Sequence, residues 1–253
     1  MKCRLPFFVP PILSLVAVCV VLNFFTLQAL ARFDFNPPAD DTATDVSTMA
    51  AFLMPVELEI INEINLARAN PQQYAAYLEK MRLHFVGNNY QPPGGKGYTF
   101  AEGVAALDDA IAFLRAASPL PPLQASQGMS LGARDHLKDL GMSGSTGHKG
   151  SDGSFIDQRV NRYGAWASTI GENISYTDET AREAVINMLI DDGNPSRGHR
   201  KNILNPTYRV AGVALGTRSA QGKLCIIGFA GGFVEKPAAN QTTDKSKPVA
   251  LKF

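Results

Sequence analysis

The sequence predicts an α+β fold. Two observations carry the prediction, and connectivity supplies a third. Apolar residues recur at helical spacing through most of the chain after residue 50. The last stretch switches to apolar, β-rich runs separated by a short polar segment. Helices followed by strands with short connections favour α+β layering over a doubly wound parallel sheet.

The elements follow in order. Val56, Ile60, Ile61, Ile64 and Leu66 mark one helix face, closed by Asn70-Pro71, with Pro71 suited to the first turn of the next helix. Tyr74, Tyr77, Leu78 and Met81 mark that second helix. Asn88 to Gly97 reads as a loop. Ala101 to Ala117 reads as a helix stopped by Pro119, Pro121 and Pro122. Gln127 to Leu140 reads as another helix, and Gly141 to Gly153 as a glycine-rich loop. Phe155 to Tyr163 is a short helix, and Thr180 to Ile190 a further one. Tyr208 to Gly216 and Lys223 to Phe233 form a hairpin signal across Arg218 to Gly222, with a strand near Thr169 to Tyr176 suited to the same sheet.

Residues 1–31 read as a targeting segment. Lys2 and Arg4 precede the apolar run Ile12 to Phe25, and Ala29-Leu30-Ala31 suits signal peptidase. The alternative is an uncleaved anchor, since the run from Leu5 to Leu30 has spanning length. Either way the expected location is secreted, extracellular or periplasmic. Residues 32–50 read as a linker, 51–234 as the folded domain and 235–253 as a flexible tail. Cleavage would leave Cys225 as the one cysteine, so no intramolecular disulfide is expected and stability must come from the core. The formal net charge is +1 and no dense Lys/Arg cluster occurs, which argues against nucleic acid as a partner. A membrane would be met only through the N-terminal segment, if that is retained.

No H-E-x-x-H, C-x-x-C, P-loop or G-x-S-x-G motif is present. Four stretches stand out instead: Gly147-His148 to Ser154, Gly171-Glu172-Asn173-Ile174, Ala184-Val185 leading to Asp191-Asp192-Gly193, and Ser196-Arg197-Gly198-His199-Arg200-Lys201-Asn202-Ile203-Leu204. Their order and spacing resemble the CAP superfamily of cysteine-rich secretory, antigen-five and pathogenesis-related proteins, in its bacterial-type branch without disulfides. The resemblance covers about Val56 to Phe233. It implies a three-layer α-β-α sandwich with a central antiparallel sheet, and a cleft with two histidines and two acids. His148 and His199 match the histidines and Glu172 the first acid; Asp191 matches the second, with Asp192 as an alternative.

Two imidazoles in such a cleft could hold a divalent metal, Zn²⁺ being the natural expectation, with His148 and His199 as ligands. Glu172 could orient a histidine or, in an enzyme, act as base. Three functions stand side by side. The first is an exported binding module for a small lipid, sterol or glycan ligand, or for a protein partner. The second is a metal-dependent hydrolase using His148, His199 and Glu172. The third is an envelope structural factor with a vestigial cleft. An enzyme is the less favoured class. His136 reads as a packing histidine, and Cys225 as a buried inert thiol. Arg197 and Arg200 read as solvated charges, as partners of Asp191 or Asp192, or as a grip on an anionic ligand. Asn173 and Asn240 stand in glycosylation sequons.

Overall fold

The computed structural model describes residues 52–95, 97–177, 180–217 and 222–237. The leader, the linker and nearly all of the tail lie outside them. The described helices are α1 (Pro55–Ala69), α2 (Pro71–Arg82), α3 (Val104–Ala116), α4 (Gln127–Ser143), α5 (Ile156–Val160), α6 (Ala181–Ile190) and α7 (Gly198–Ile203). The strands are β1 (Phe85–Val86), β2 (Asn89–Tyr90), β3 (Tyr98–Thr99), β4 (Gln124–Ala125), β5 (Gly164–Thr177), β6 (Val210–Thr217) and β7 (Lys223–Glu235). Among the described residues no helix is long and apolar enough to cross a membrane.

The main sheet has the order β4-β6-β7-β5. Its three long strands are antiparallel, with Glu172 opposite Gly228 and Val213 opposite Ile227. The short β4 adds a parallel rung, Gln124 opposite Val210, so the expected antiparallel sheet has one parallel edge.

Period-two alternation splits the core between the faces of this sheet. Ala211, Val213, Cys225, Ile227 and Phe229 face one way and pack with Ile60, Ile64, Leu107, Val185 and Leu189 of α1, α3 and α6. Ala214, Leu224 and Ile226 face the other way, onto Ala133 and Leu140 of α4, while Val210 and Ala230 join Met129, Ile156 and Val160. Helices therefore cover both faces, and the fold is an α+β sandwich of three layers. Gly212 sets the spacing on the α4 side: a Cβ there would fall against the Met129 carbonyl carbon and the Ser130 nitrogen.

Local signals fix the helix ends. Ser126 caps α4 by accepting from the Met129 N–H at 3.2 Å. Thr180 and Glu183 form a reciprocal cap on α6, Thr180 N–H to Glu183 Oε2 at 2.9 Å and Glu183 N–H to Thr180 Oγ1 at 3.3 Å. Two expectations need correction. The segment 88–97 is not simply a loop, because β2 and β3 extend the β1-β2-β3 ribbon, whose aromatic cluster joins Phe85, Tyr90, Tyr98 and Phe100. Helix α4 runs past Leu140 to Ser143 and ends on Gly144 at φ 68°.

Candidate functional site

The structure builds two histidine–carboxylate pairs. His148 lies on the turn between α4 and α5, and Glu172 on β5. The His148 Nδ1 is 2.9 Å from Glu172 Oε1. Glu172 Oε2 accepts from Arg159 Nη2 at 2.6 Å. The Glu172 and Arg159 side chains are each 2% exposed, whereas His148 is 52% exposed. Arg159 also donates to the Ser154 and His148 carbonyls at 2.8 and 3.2 Å, clamping the His148 turn from behind.

The second pair is tighter. His199 Nδ1 is 2.7 Å from Asp191 Oδ1, and the His199 backbone N–H donates to Asp191 Oδ2 at 2.8 Å. Asp191 ends α6 in the left-handed region at φ 55°, which turns its carboxylate back toward the start of α7. Burial pushes the Asp191 carboxyl upward, but the hydrogen bonds and charge of His199 outweigh it and hold it below the ordinary value. Asp192 faces elsewhere, accepting from the Ala101 and Glu102 N–H groups at 2.6 and 2.8 Å. Asp191 is thus the acid beside the histidine, and Asp192 anchors the strap before α3.

Strand β5 connects the pairs. Alternation sends Glu172 toward α5 and Asn173 toward α6 and α7. Asn173 donates to the His199 carbonyl at 3.1 Å and accepts from Asn202 at 2.8 Å. In each pair the carboxylate can only accept, so it takes the Nδ1 hydrogen and leaves Nε2 as the ring's other polar atom. Glu172 has one oxygen on His148 and the other on Arg159, which suits it to position the His148 ring. Among the described residues no three His, Cys, Asp or Glu side chains converge as a metal-holding group.

A groove of about 930 Å³ opens beside the second pair. Pro92 to Gly95, Tyr98 to Phe100 and Ile174 to Tyr176 of β5 line it. Glu183, Met188, Asp191, Asp192 and His199 also line it, but His148 and Glu172 do not.

Several other residues find their places. His136 is fully buried, with Nε2 2.9 Å from the Gly147 carbonyl, and burial pushes its pKa down. Cys225 is buried, and burial pushes its thiol up to about 12. Neither arginine beside His199 meets the Asp191 or Asp192 carboxylate or remains a solvated grip. Arg197 pairs with Glu102 and Asp109, while Arg200 is buried and donates to the Ile190 carbonyl and Asp109. Asn173 is buried with its side chain engaged, so its sequon offers no accessible acceptor; Asn240 lies outside the described residues. Sequence reasoning missed Arg159, which no motif marks, and the ribbon wall, which the Gly87-Asn88 turn between short strands could have flagged.

Comparison with known proteins adds the family. The model of the cysteine-rich secretory protein family, CAP, matches residues 109–229. Among solved structures, the chain is similar to an extracellular SCP-domain protein from Bacillus anthracis, at 24% identity over 44% of this chain and 34% of that one, TM-score 0.36. An outer surface protein from Borrelia burgdorferi matches at 19% identity over 57% and 98% of the two chains, TM-score 0.39. A cysteine-rich secretory protein from Staphylococcus aureus matches at 14% identity over 55% and 42%, TM-score 0.35. The chain thus spans about a third of the length of the first of these and under half of the third. No curated protein matches the sequence. The family match contains both histidine–carboxylate pairs, and residues 109–229 accordingly carry the CAP-family likeness.

Proposed function

We propose that the chain is an exported binding module whose ligand lies in the groove beside His199. The ligand classes in view are a small amphipathic, lipid, sterol or glycan molecule, or a segment of a protein partner. The carrying observation is the groove itself, about 930 Å³ with mixed apolar and polar lining next to a carboxylate-anchored histidine. That size and lining suit a ligand site. Export rests on the leader pattern of residues 1–31. A binding titration of the full chain against a fluorescent fatty acid, a fluorescent sterol, an oligosaccharide and a peptide tests the reading. Ser175→Trp would fill the groove from its wall without entering the core. Binding should be lost in that variant at unchanged thermal stability; binding that persists places the ligand elsewhere.

A second reading is favoured by the way each imidazole is fixed by its own carboxylate. In it, a divalent ion such as Zn²⁺ sits on the Nε2 atoms of His148 and His199, with Glu172 and Asp191 orienting the rings. A bound ion would supply Lewis-acid polarisation. Calorimetric titration with zinc chloride checks this: affinity of about micromolar or tighter, lost in His148→Ala/His199→Ala, supports it. Binding that survives the double substitution removes it. Hydrolysis is the less favoured use, because Glu172 is 2% exposed and does not line the groove.

A further inference from the structure

Two outer strands contribute to the lining of the groove. β5 is last in the order of the main sheet and β3 last in the order of the ribbon. Ile174 to Tyr176 and Tyr98 to Phe100 both line it. A chain laid along either strand would run beside its main chain. Strand addition of an extended peptide uses this kind of geometry, with side chains alternating between two sets of pockets.

The charge of the lining selects among peptides. Three carboxylates line the groove, Glu183, Asp191 and Asp192, and no described lysine or arginine does. Among the described residues, the one ion-pair partner of these three is His199, on Asp191. Glu183 and Asp192 are held by neutral groups: Glu183 by the Thr180 N–H and hydroxyl, Asp192 by the Ala101 and Glu102 N–H groups. Hydrogen bonds from neutral donors fix the carboxylates without cancelling their charge. A cleft lined by one sign of charge focuses its field on an incoming ligand of the other sign. Pro92, Pro93 and Tyr98, none of them buried, add apolar contact between the charges.

Resting on the groove as the binding site, we propose that its ligand is an extended cationic peptide segment. Its basic side chains meet Glu183 and Asp192, and its alternate apolar side chains meet Pro93 and Tyr98. A neutral glycan or a fatty acid would leave the carboxylates unmatched, and a fatty acid would be repelled by them.

Fluorescence anisotropy tests this with the full chain and three labelled hexapeptides: alternating Lys-Leu, Ser-Leu and Glu-Leu. The variants are Glu183→Gln/Asp192→Asn and Ser175→Trp. Gln at 183 keeps the reciprocal cap on α6, and Asn at 192 keeps an acceptor for the strap. The Lys-Leu peptide should bind tightest and weaken as salt rises. The double variant should bind it about three- to tenfold more weakly, as expected for removing two exposed charge contacts. Equal binding of all three peptides, or no loss in the double variant, overturns the cationic assignment. If no peptide binds while a lipid or oligosaccharide does so in a Ser175→Trp-sensitive way, this inference fails and the binding-module reading stands. If Ser175→Trp changes no binding at all, both fall.

Discussion

Glu172→Gln is the sharpest single perturbation of this domain. The carboxylate is 2% exposed and spends one oxygen on His148 and the other on Arg159. Gln keeps the shape and removes the charge. Arg159 is then left buried with a neutral acceptor and two carbonyls, and its Nε has no partner among the described residues. Breaking a buried ion pair from one side costs about 3–5 kcal/mol. The retained amide oxygen still accepts one bond, which lowers the expected loss to about 2–3 kcal/mol. For a domain of this size that is a fall in Tm of roughly 5–10 °C. Urea denaturation followed by circular dichroism measures it. The pair is then isolated by a cycle with Arg159→Met, in which the double variant should recover at least about 1.5 kcal/mol relative to the sum of the singles. A Glu172→Gln loss under about 0.5 kcal/mol, or an additive cycle, would refute the claim that this pair holds the His148 turn.

Three more outcomes are expected. Gly212→Ala should lower stability by about 1–3 kcal/mol, because its Cβ meets α4 backbone. Gly216→Ala should cost less, since the atom it meets ends the Leu137 side chain; reversed melting temperatures would contradict the packing. Asp191 has a lowered folded pKa, so its stabilisation is full above its ordinary value of 3.8 and is lost as pH falls below it. Acid melts of Asp191→Asn should be flatter there than those of the wild type. His136 also has a lowered folded pKa, but as a base it binds protons more readily when unfolded. Stability should therefore fall as pH drops below its ordinary 6.5, and His136→Asn should remove that slope.

Much of the fold is legible because burial imposes periodicity. Ile60, Ile61 and Ile64 are core residues, and the alternation Ala211–Val213 against Val210–Ala214 separates two helical layers. The ribbon was hidden because its two-residue strands are held by aromatic contacts such as Phe85–Phe100, at 5.0 Å between ring centres, rather than by any run of strand-forming residues. The site was legible in part. His148, Glu172 and His199 stand in motifs, but the choice between Asp191 and Asp192 turns on one left-handed residue that spacing does not encode. The arginines misled for a similar reason. Arg200 sits among charged and polar letters yet is buried by the helix that carries it, and Arg159 has no motif although it ties the His148 turn to Glu172.

Backbone chemical-shift mapping of the labelled full chain tests whether the groove beside His199 binds the ligand. The probe is the Lys-Leu hexapeptide, titrated to saturation. A ligand in the groove shifts signals at Tyr98 to Phe100, Ile174 to Tyr176, Met188 and His199. Shifts confined to any other surface, or none while a different ligand binds away from these residues, would contradict it.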